Sequence, residues 1–257
     1  MATIAISLLV LFAAIALLRV PIAYALILAC LPFFLSNDRL SNELLVQRMY
    51  GGVDSFILLA VPFFVLAGAI MNAAKVTDRL LALAHALVGW VRGGLGMVNV
   101  ATSMGFGGVS GSSTADVAGL GSILIPQMVR RGYSSGYAVG ITAASAVIGT
   151  IIPPSIQMVV WGSLTNTSIG AMFLGGVIPG ILIGGGMMLV AYIEARRHNY
   201  PAEPRLPFRH VLKAFRDSVL ALGMIVIVLG GIVGGFVTAT EAAVLPVRYA
   251  RMSTTAS

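Results

Sequence analysis

The chain has 257 residues, 58% of them apolar and 10% charged, where a soluble domain carries about one charged residue in four. With a mean hydropathy of +0.97, this excludes a water-soluble monomer. The net charge of +7 does not point to nucleic acid, because the basic residues sit between apolar runs and are not interleaved with aromatics, so they read as topology signals.

No Asp, Glu, Lys or Arg occurs in 1 to 18, 20 to 37, 55 to 74, 132 to 193 or 218 to 240. Runs of about 20 apolar residues cross a bilayer as helices, whereas a barrel would show short alternating strands. The expected class is an all-α, polytopic helical membrane protein. The single cysteine, Cys30, lies in an apolar run and excludes a disulfide framework or a Cys-rich metal site. No positive n-region or small-residue cleavage site accompanies residues 1 to 18, which read as a retained helix.

Residues 1 to 74 are expected to supply N-terminal transmembrane helices, the first two broken at Arg19 and Pro21. Parity and charge then place Arg19, Lys75, Arg79 and Arg92 in the cytoplasm, with the N-terminus and the 37 to 54 loop outside. Parity also puts Arg248 and Arg251 outside, against the rule. Residues 75 to 92 alternate polar and apolar positions as an amphipathic interfacial helix, with His85 on its polar face.

Arg130 and Arg131 are cytoplasmic if the basic stretch 194 to 217 is, which requires 93 to 131 to begin and end on one side as a re-entrant hairpin. Its middle, GFGGVSGSST at 105 to 114, is a poor continuous helix and leaves arms of about 16 residues, roughly 25 Å each. Backbone turning at membrane depth is tolerated only against protein or a water-filled cavity, so the tip is a site candidate.

Residues 132 to 193 hold a broken helix and a further transmembrane helix. In GTIIPPS at 149 to 155, Pro153 and Pro154 deprive the Gly149 and Thr150 carbonyls of helical partners. Half-helices at 136 to 149 and 154 to 163 would offer carbonyls from one end and amides from the other, as sites for sodium and carboxylates do. The competing reading is a proline kink repaired by neighbours. Asp116, the only charge between Arg92 and Arg130, is either an intramembrane functional carboxylate or the partner of Ser113 in a capping-box-like motif. The Gly107/Gly111, Gly180/Gly184 and Gly231/Gly235 pairs have small-xxx-small spacing and read as packing. Residues 194 to 217, with Pro201, Pro204 and Pro207, form a solvent-exposed basic connector tolerant of single changes, and 218 to 257 a last helix and divergent tail. No catalytic or metal-ligand cluster is evident, so the chain reads as a non-enzyme.

The stretches VPIAYA at 20 to 25, DSFILLAVPFFVLAG at 54 to 68, FGGVSGSSTAD at 106 to 116, GSILIP at 121 to 126, TAAS at 142 to 145 and IIPPS at 151 to 155 together resemble the large membrane subunit of the tripartite ATP-independent periplasmic (TRAP) transporters, the DctM-like family. The resemblance implies sodium-driven import of organic acids such as C4-dicarboxylates, keto acids or acidic sugars across the bacterial inner membrane, with a small membrane subunit and a periplasmic substrate-binding protein as partners. It implies an elevator-type fold of two inverted repeats, of which this chain would hold the first and, at TATEAA (238 to 243), the opening of the second, as a truncated, frame-shifted or split subunit. It implies no cofactor beyond sodium as coupling ion. By motif position the ion would be held by Ser110, Ser113 and backbone at Gly149, Ile152 and Pro154. Thr150, the companion of Gly149 in the residue-level reading, stands where many relatives carry proline. Asp116 and Ser155 are candidates for substrate contact or coupling. The alternative is a non-transporting membrane assembly protein.

Overall fold

The computed structural model describes residues 2 to 35, 42 to 73, 75 to 238 and 240 to 244, and among them regular structure is entirely helical. The expectations placed on 36 to 41 and on Arg248 and Arg251 fall outside these residues. Two compact units divide at Ser55 and Phe56.

The first unit holds α1 (Ala2–Leu17), α2 (Ile22–Leu35) and α3 (Asn42–Val53). Arg19 takes a positive φ of 63° between the first two, so the break expected at Arg19 and Pro21 is a turn between short apolar helices.

The second unit begins with a 3-10 turn, Phe56–Leu59, leading into α4 (Ala60–Ala73). It continues with α5 (Val76–Val88), α6 (Gly94–Ser110), α7 (Ser113–Arg130) and α8 (Ser135–Ala146). A second 3-10 turn, Val147–Thr150, precedes α9 (Ile156–Thr165), α10 (Ile169–Arg197) and α11 (Phe208–Val233). The central element is α6, which packs on α4, α5, α7, α8 and α10. Three apolar clusters form the core, two of them including α6 residues. Met71, Leu80, Phe106 and Leu124 form one with Met224, Leu95, Met128 and Ile141 form another with Ala191, and Phe64, Val159 and Phe173 form the third with Val228.

On α10, Gly176 seats the Ile151 carbonyl and Met158, Gly180 seats Ile152, and Gly184 seats Met104, while Leu174, Ile178 and Leu182 on other faces are exposed. Small residues toward protein and large apolar ones outward are the distribution a lipid-facing helix needs. The stretches 56 to 73 and 169 to 197 are long and apolar enough to cross a membrane, and the chain is a polytopic helical membrane protein. Gly235 is the exception to the packing reading: its φ is +70° and a methyl there would meet nothing within 4 Å, so it serves a turn.

The helical hairpin α6/α7 departs from expectation at its tip. The helix runs through Gly105, Gly107 and Gly108 to Ser110, leaving only Gly111 and Ser112 outside. Tertiary packing overrides weak propensity here, since a methyl on Gly107 would strike Gly149. The connector is shorter and better anchored than its prolines suggest, because α10 extends to Arg197 and α11 starts at Phe208. Tyr200 is buried, and the Glu203 carboxylate bridges His85 Nε2 and Arg131, each at 2.6 Å. Arg205 lies 4.1 Å over the Trp90 ring. The exposed connector is therefore tied down by Tyr200 and Glu203, and His85 does more than face solvent.

Candidate ion site at the hairpin tip

The hairpin tip and the interrupted helix meet. Gly111 closes α6 in the left-handed region, at φ 60°, a conformation glycine adopts without Cβ strain. Its carbonyl accepts from the Ile156 amide at 3.3 Å, so the first amide of α9 is spent on the tip. A methyl on Gly111 would stand 2.8 Å from the Pro154 carbonyl oxygen, and one on Gly108 would stand 3.3 Å from that of Pro153. These close approaches explain why the tip is glycine-rich: its backbone packs against the backbone of the break and, at Gly108, also against the Ile225 side chain, 3.0 Å from where a methyl would stand.

Ser110 is buried, and its hydroxyl donates to Asp116 Oδ1 at 2.5 Å. The same hydroxyl accepts from the Ser112 amide at 3.2 Å. Asp116 is 1% exposed, and its second oxygen, Oδ2, has no hydrogen-bond partner. That oxygen points at the break, where a methyl on Gly149 would stand 2.5 Å from it. An unpaired carboxylate oxygen in a buried setting is costly.

The capping account of Asp116 changes accordingly. The N-cap of α7 is Ser112, whose side chain accepts from the Ala115 amide at 3.5 Å, so Ser113 is the first helical residue and the Ser113 to Asp116 box does not form. Asp116 remains in the first turn, where the helix dipole favours a negative charge, but its carboxylate turns to Ser110 and Gly149. Ser113 is half-buried at the tip.

The expectation of a free Thr150 carbonyl is also corrected. The Ser155 hydroxyl donates to it at 2.7 Å and accepts from the Met158 amide at 3.4 Å. Ser155 is fully buried, so its hydroxyl closes the break and caps α9 at once, which leaves little of it for a substrate. The Thr150 hydroxyl donates to the Val147 carbonyl at 2.8 Å. The Ile152 amide donates to the Ile148 carbonyl at 2.8 Å, and Pro154 is buried under the tip. Ser110, Gly149, Pro154 and Asp116 are thus gathered, Ser113 follows the tip as the first residue of α7, Ile152 packs at Gly180 of α10, and Thr150 and Ser155 serve the turn itself.

A buried polar set to which the sequence reading gave no structural role braces this arrangement. Asn99 on α6 donates to Thr142 Oγ1 at 2.6 Å and accepts from Ser145 at 3.1 Å, while Ser103 and Ser145 share a bond of 2.9 Å. All four are at most 1% exposed. Polar residues spaced i, i+4 on one apolar helix and i, i+3 on another were the available signal. Beside the tip, a cavity of about 200 Å³ is lined by Val65, Gly68, Asn72, Phe106, Ser110 and Ser112.

Residues 9 to 255 match the family described as the DctM component of the tripartite ATP-independent periplasmic transporters. The chain belongs to this family. It is 42% identical over 230 residues to the sialic acid TRAP transporter large permease protein SiaM of Vibrio cholerae, covering 90% of this chain and 54% of that protein. It is likewise 42% identical to the C4-dicarboxylate large permease protein DctM of the same organism, over 90% of this chain and 51% of the relative. The 2,3-diketo-L-gulonate large permease protein YiaN of Escherichia coli is 39% identical, again over 90% of this chain and 54% of its own length. The chain therefore spans about half the length of these relatives. The family is a transporter component and not an enzyme.

Proposed function

We propose that this chain forms the ion-binding half of a large TRAP permease, which imports an organic acid together with sodium, driven by the sodium gradient across a bacterial inner membrane. The carrying observation is the unpartnered, buried Asp116 Oδ2 against Gly149, beside the Ser110 hydroxyl. Hydroxyl, carbonyl and carboxylate oxygens are the donor type that hard cations take, and a cation there would offset a carboxylate that protein groups leave half satisfied. Ser110 and Asp116, with backbone at Gly149 and Pro154, form the centre of the site, and Ser113 and Ile152 are its further candidate ligands. The cavity beside Ser110 offers an ion a way to the tip. The α6/α7 hairpin is re-entrant in this reading, the N-terminus is periplasmic, and the partners are a small membrane subunit and a periplasmic binding protein. Sialic acid, C4-dicarboxylates and 2,3-diketo-L-gulonate, the substrates in the relatives' names, define the substrate class to test: carboxylated small molecules.

The test separates binding from transport. Sodium that binds only the folded chain raises its melting temperature relative to choline at equal ionic strength, by the usual linkage of ligand to stability. Ser110→Ala and Asp116→Asn abolish the sodium-specific shift while the choline melting temperature remains measurable. Equal melting temperatures in sodium and choline overturn the site. Sodium-dependent uptake of labelled carboxylates by a complete system containing this sequence then tests the transport reading.

A further inference from the structure

The first half of α11 carries three different faces. Ala214 and Ser218 turn inward, Ser218 being fully buried with its hydroxyl donating to the Arg79 carbonyl of α5 at 2.9 Å. Phe208, Leu212, Phe215 and Val219, spaced i, i+4, i+7 and i+11, form an outward apolar stripe, and they are 77%, 57%, 50% and 47% exposed. Arg209, Lys213 and Arg216 form a basic stripe beside it, also exposed and in none of the ion pairs among the described residues. Between the two stripes a cleft of about 330 Å³ is lined by Arg209, Leu212, Lys213, Arg216 and Asp217. Past Val219 the helix bends by 47° and becomes wholly uncharged from 221 to 233.

We propose that the 208 to 219 segment lies in the membrane interface and that this cleft binds the headgroup of an anionic phospholipid. An apolar stripe flanked by basic residues is the pattern of a helix lying in the interface plane. The 47° bend supplies the geometry, because it lets one half lie along the surface while the other descends. The stripe seats acyl chains, and the three cations meet the phosphate. A zwitterionic headgroup would bring its own cation to these three. Asp217, which also lines the cleft, reduces its charge without reversing it. The uncharged, apolar second half of α11, which continues directly from the cleft, selects a lipid headgroup over a protein partner. Arg196 and Arg197, which end the apolar α10 and do not line this cleft, serve as the control. The reading goes beyond transport and does not depend on the ion site.

The experiment uses the full chain in detergent with phosphatidylglycerol or phosphatidylcholine, counted by native mass spectrometry. The wild type retains phosphatidylglycerol over phosphatidylcholine by roughly tenfold or more, the scale expected from three basic residues near anionic headgroups. An R209Q/K213Q/R216Q variant loses that preference, and R196Q/R197Q keeps it. A photoactivatable phosphatidylglycerol cross-links within 208 to 219 of the unmodified chain, which decides the matter even if the triple variant does not fold. No headgroup preference, equal loss in the R196Q/R197Q control, cross-links confined to other segments, or displacement by inorganic phosphate at concentrations that leave other lipids bound would each overturn the proposal. Displacement would reassign the cleft to a free anion.

Discussion

A methyl group on Gly149 would stand 2.5 Å from Asp116 Oδ2 and 3.0 Å from the Gly107 Cα, so this position tolerates no side chain unless α6 and the break part. Gly149→Ala is expected to cost about 1 to 3 kcal/mol, the usual range for overpacking a filled core, read as a lower melting temperature of the purified chain. Adding Asp116→Ala removes one of the two obstructions, so the double variant should be more stable than the sum of the single changes predicts. Strict additivity would mean that the carboxylate and the glycine do not meet. Sequence reasoning singled out Gly149 for a carbonyl freed by proline, yet what the structure demands of it is the absence of a Cβ. That demand comes from Asp116, 33 positions earlier in the chain, and no local pattern reveals it. The tip hydroxyls drew notice because a hydroxyl in a glycine-rich apolar turn has few structural uses. That the Ser155 hydroxyl closes the break could not be seen in the sequence, because it bonds a carbonyl whose position depends on the turn.

At the scale of elements, the hairpin and the break were legible from glycines, hydroxyls and two adjacent prolines interrupting apolar runs, since backbone chemistry limits what such residues can do. Their mutual seating was not, because the bond from the Ile156 amide to the Gly111 carbonyl joins segments far apart in sequence. The polar set Asn99, Ser103, Thr142 and Ser145 adds a second tie between α6 and α8. Asn99→Leu removes the side chain that joins Thr142 to Ser145, leaving Thr142 with only its local carbonyl acceptor and Ser145 with Ser103 and its own local carbonyl. In a membrane setting such interhelical bonds contribute about 0.6 kcal/mol on average and up to about 1.7 kcal/mol. A loss of about 1 to 2 kcal/mol in reversible detergent unfolding is therefore expected, while Asn99→Gln recovers part of it. An unchanged unfolding midpoint for Asn99→Leu would show that the set is dispensable.

Across the second unit, Glu203 draws together the end of the hairpin, through Arg131, and α5, through His85. Sequence alone offered a proline-rich basic loop and a histidine on a polar face, and three residues scattered from 85 to 203 carry no shared signal. Because Arg131 is 55% exposed, the pair contributes modestly to stability, on the order of 0 to 1 kcal/mol. Glu203→Gln should thus leave the melting temperature nearly unchanged while making the 198 to 207 connector more susceptible to limited proteolysis. The same tie constrains topology. Antiparallel α6 and α7 bring Gly94 and Arg130 to one end of the hairpin, and Glu203 adds the connector to that end, so Arg92, Arg130 and Ala202, all exposed, must face one aqueous compartment. In a Cys30→Ser background, Arg92→Cys, Arg130→Cys and Ala202→Cys in sealed inverted vesicles are expected to react alike with an impermeant maleimide, the basic composition of this end making it the cytoplasmic face. Labelling of Arg92→Cys and Arg130→Cys from opposite sides would mean that α6 and α7 together cross the bilayer an odd number of times, and the re-entrant hairpin, with the ion site at its tip, would fall with it.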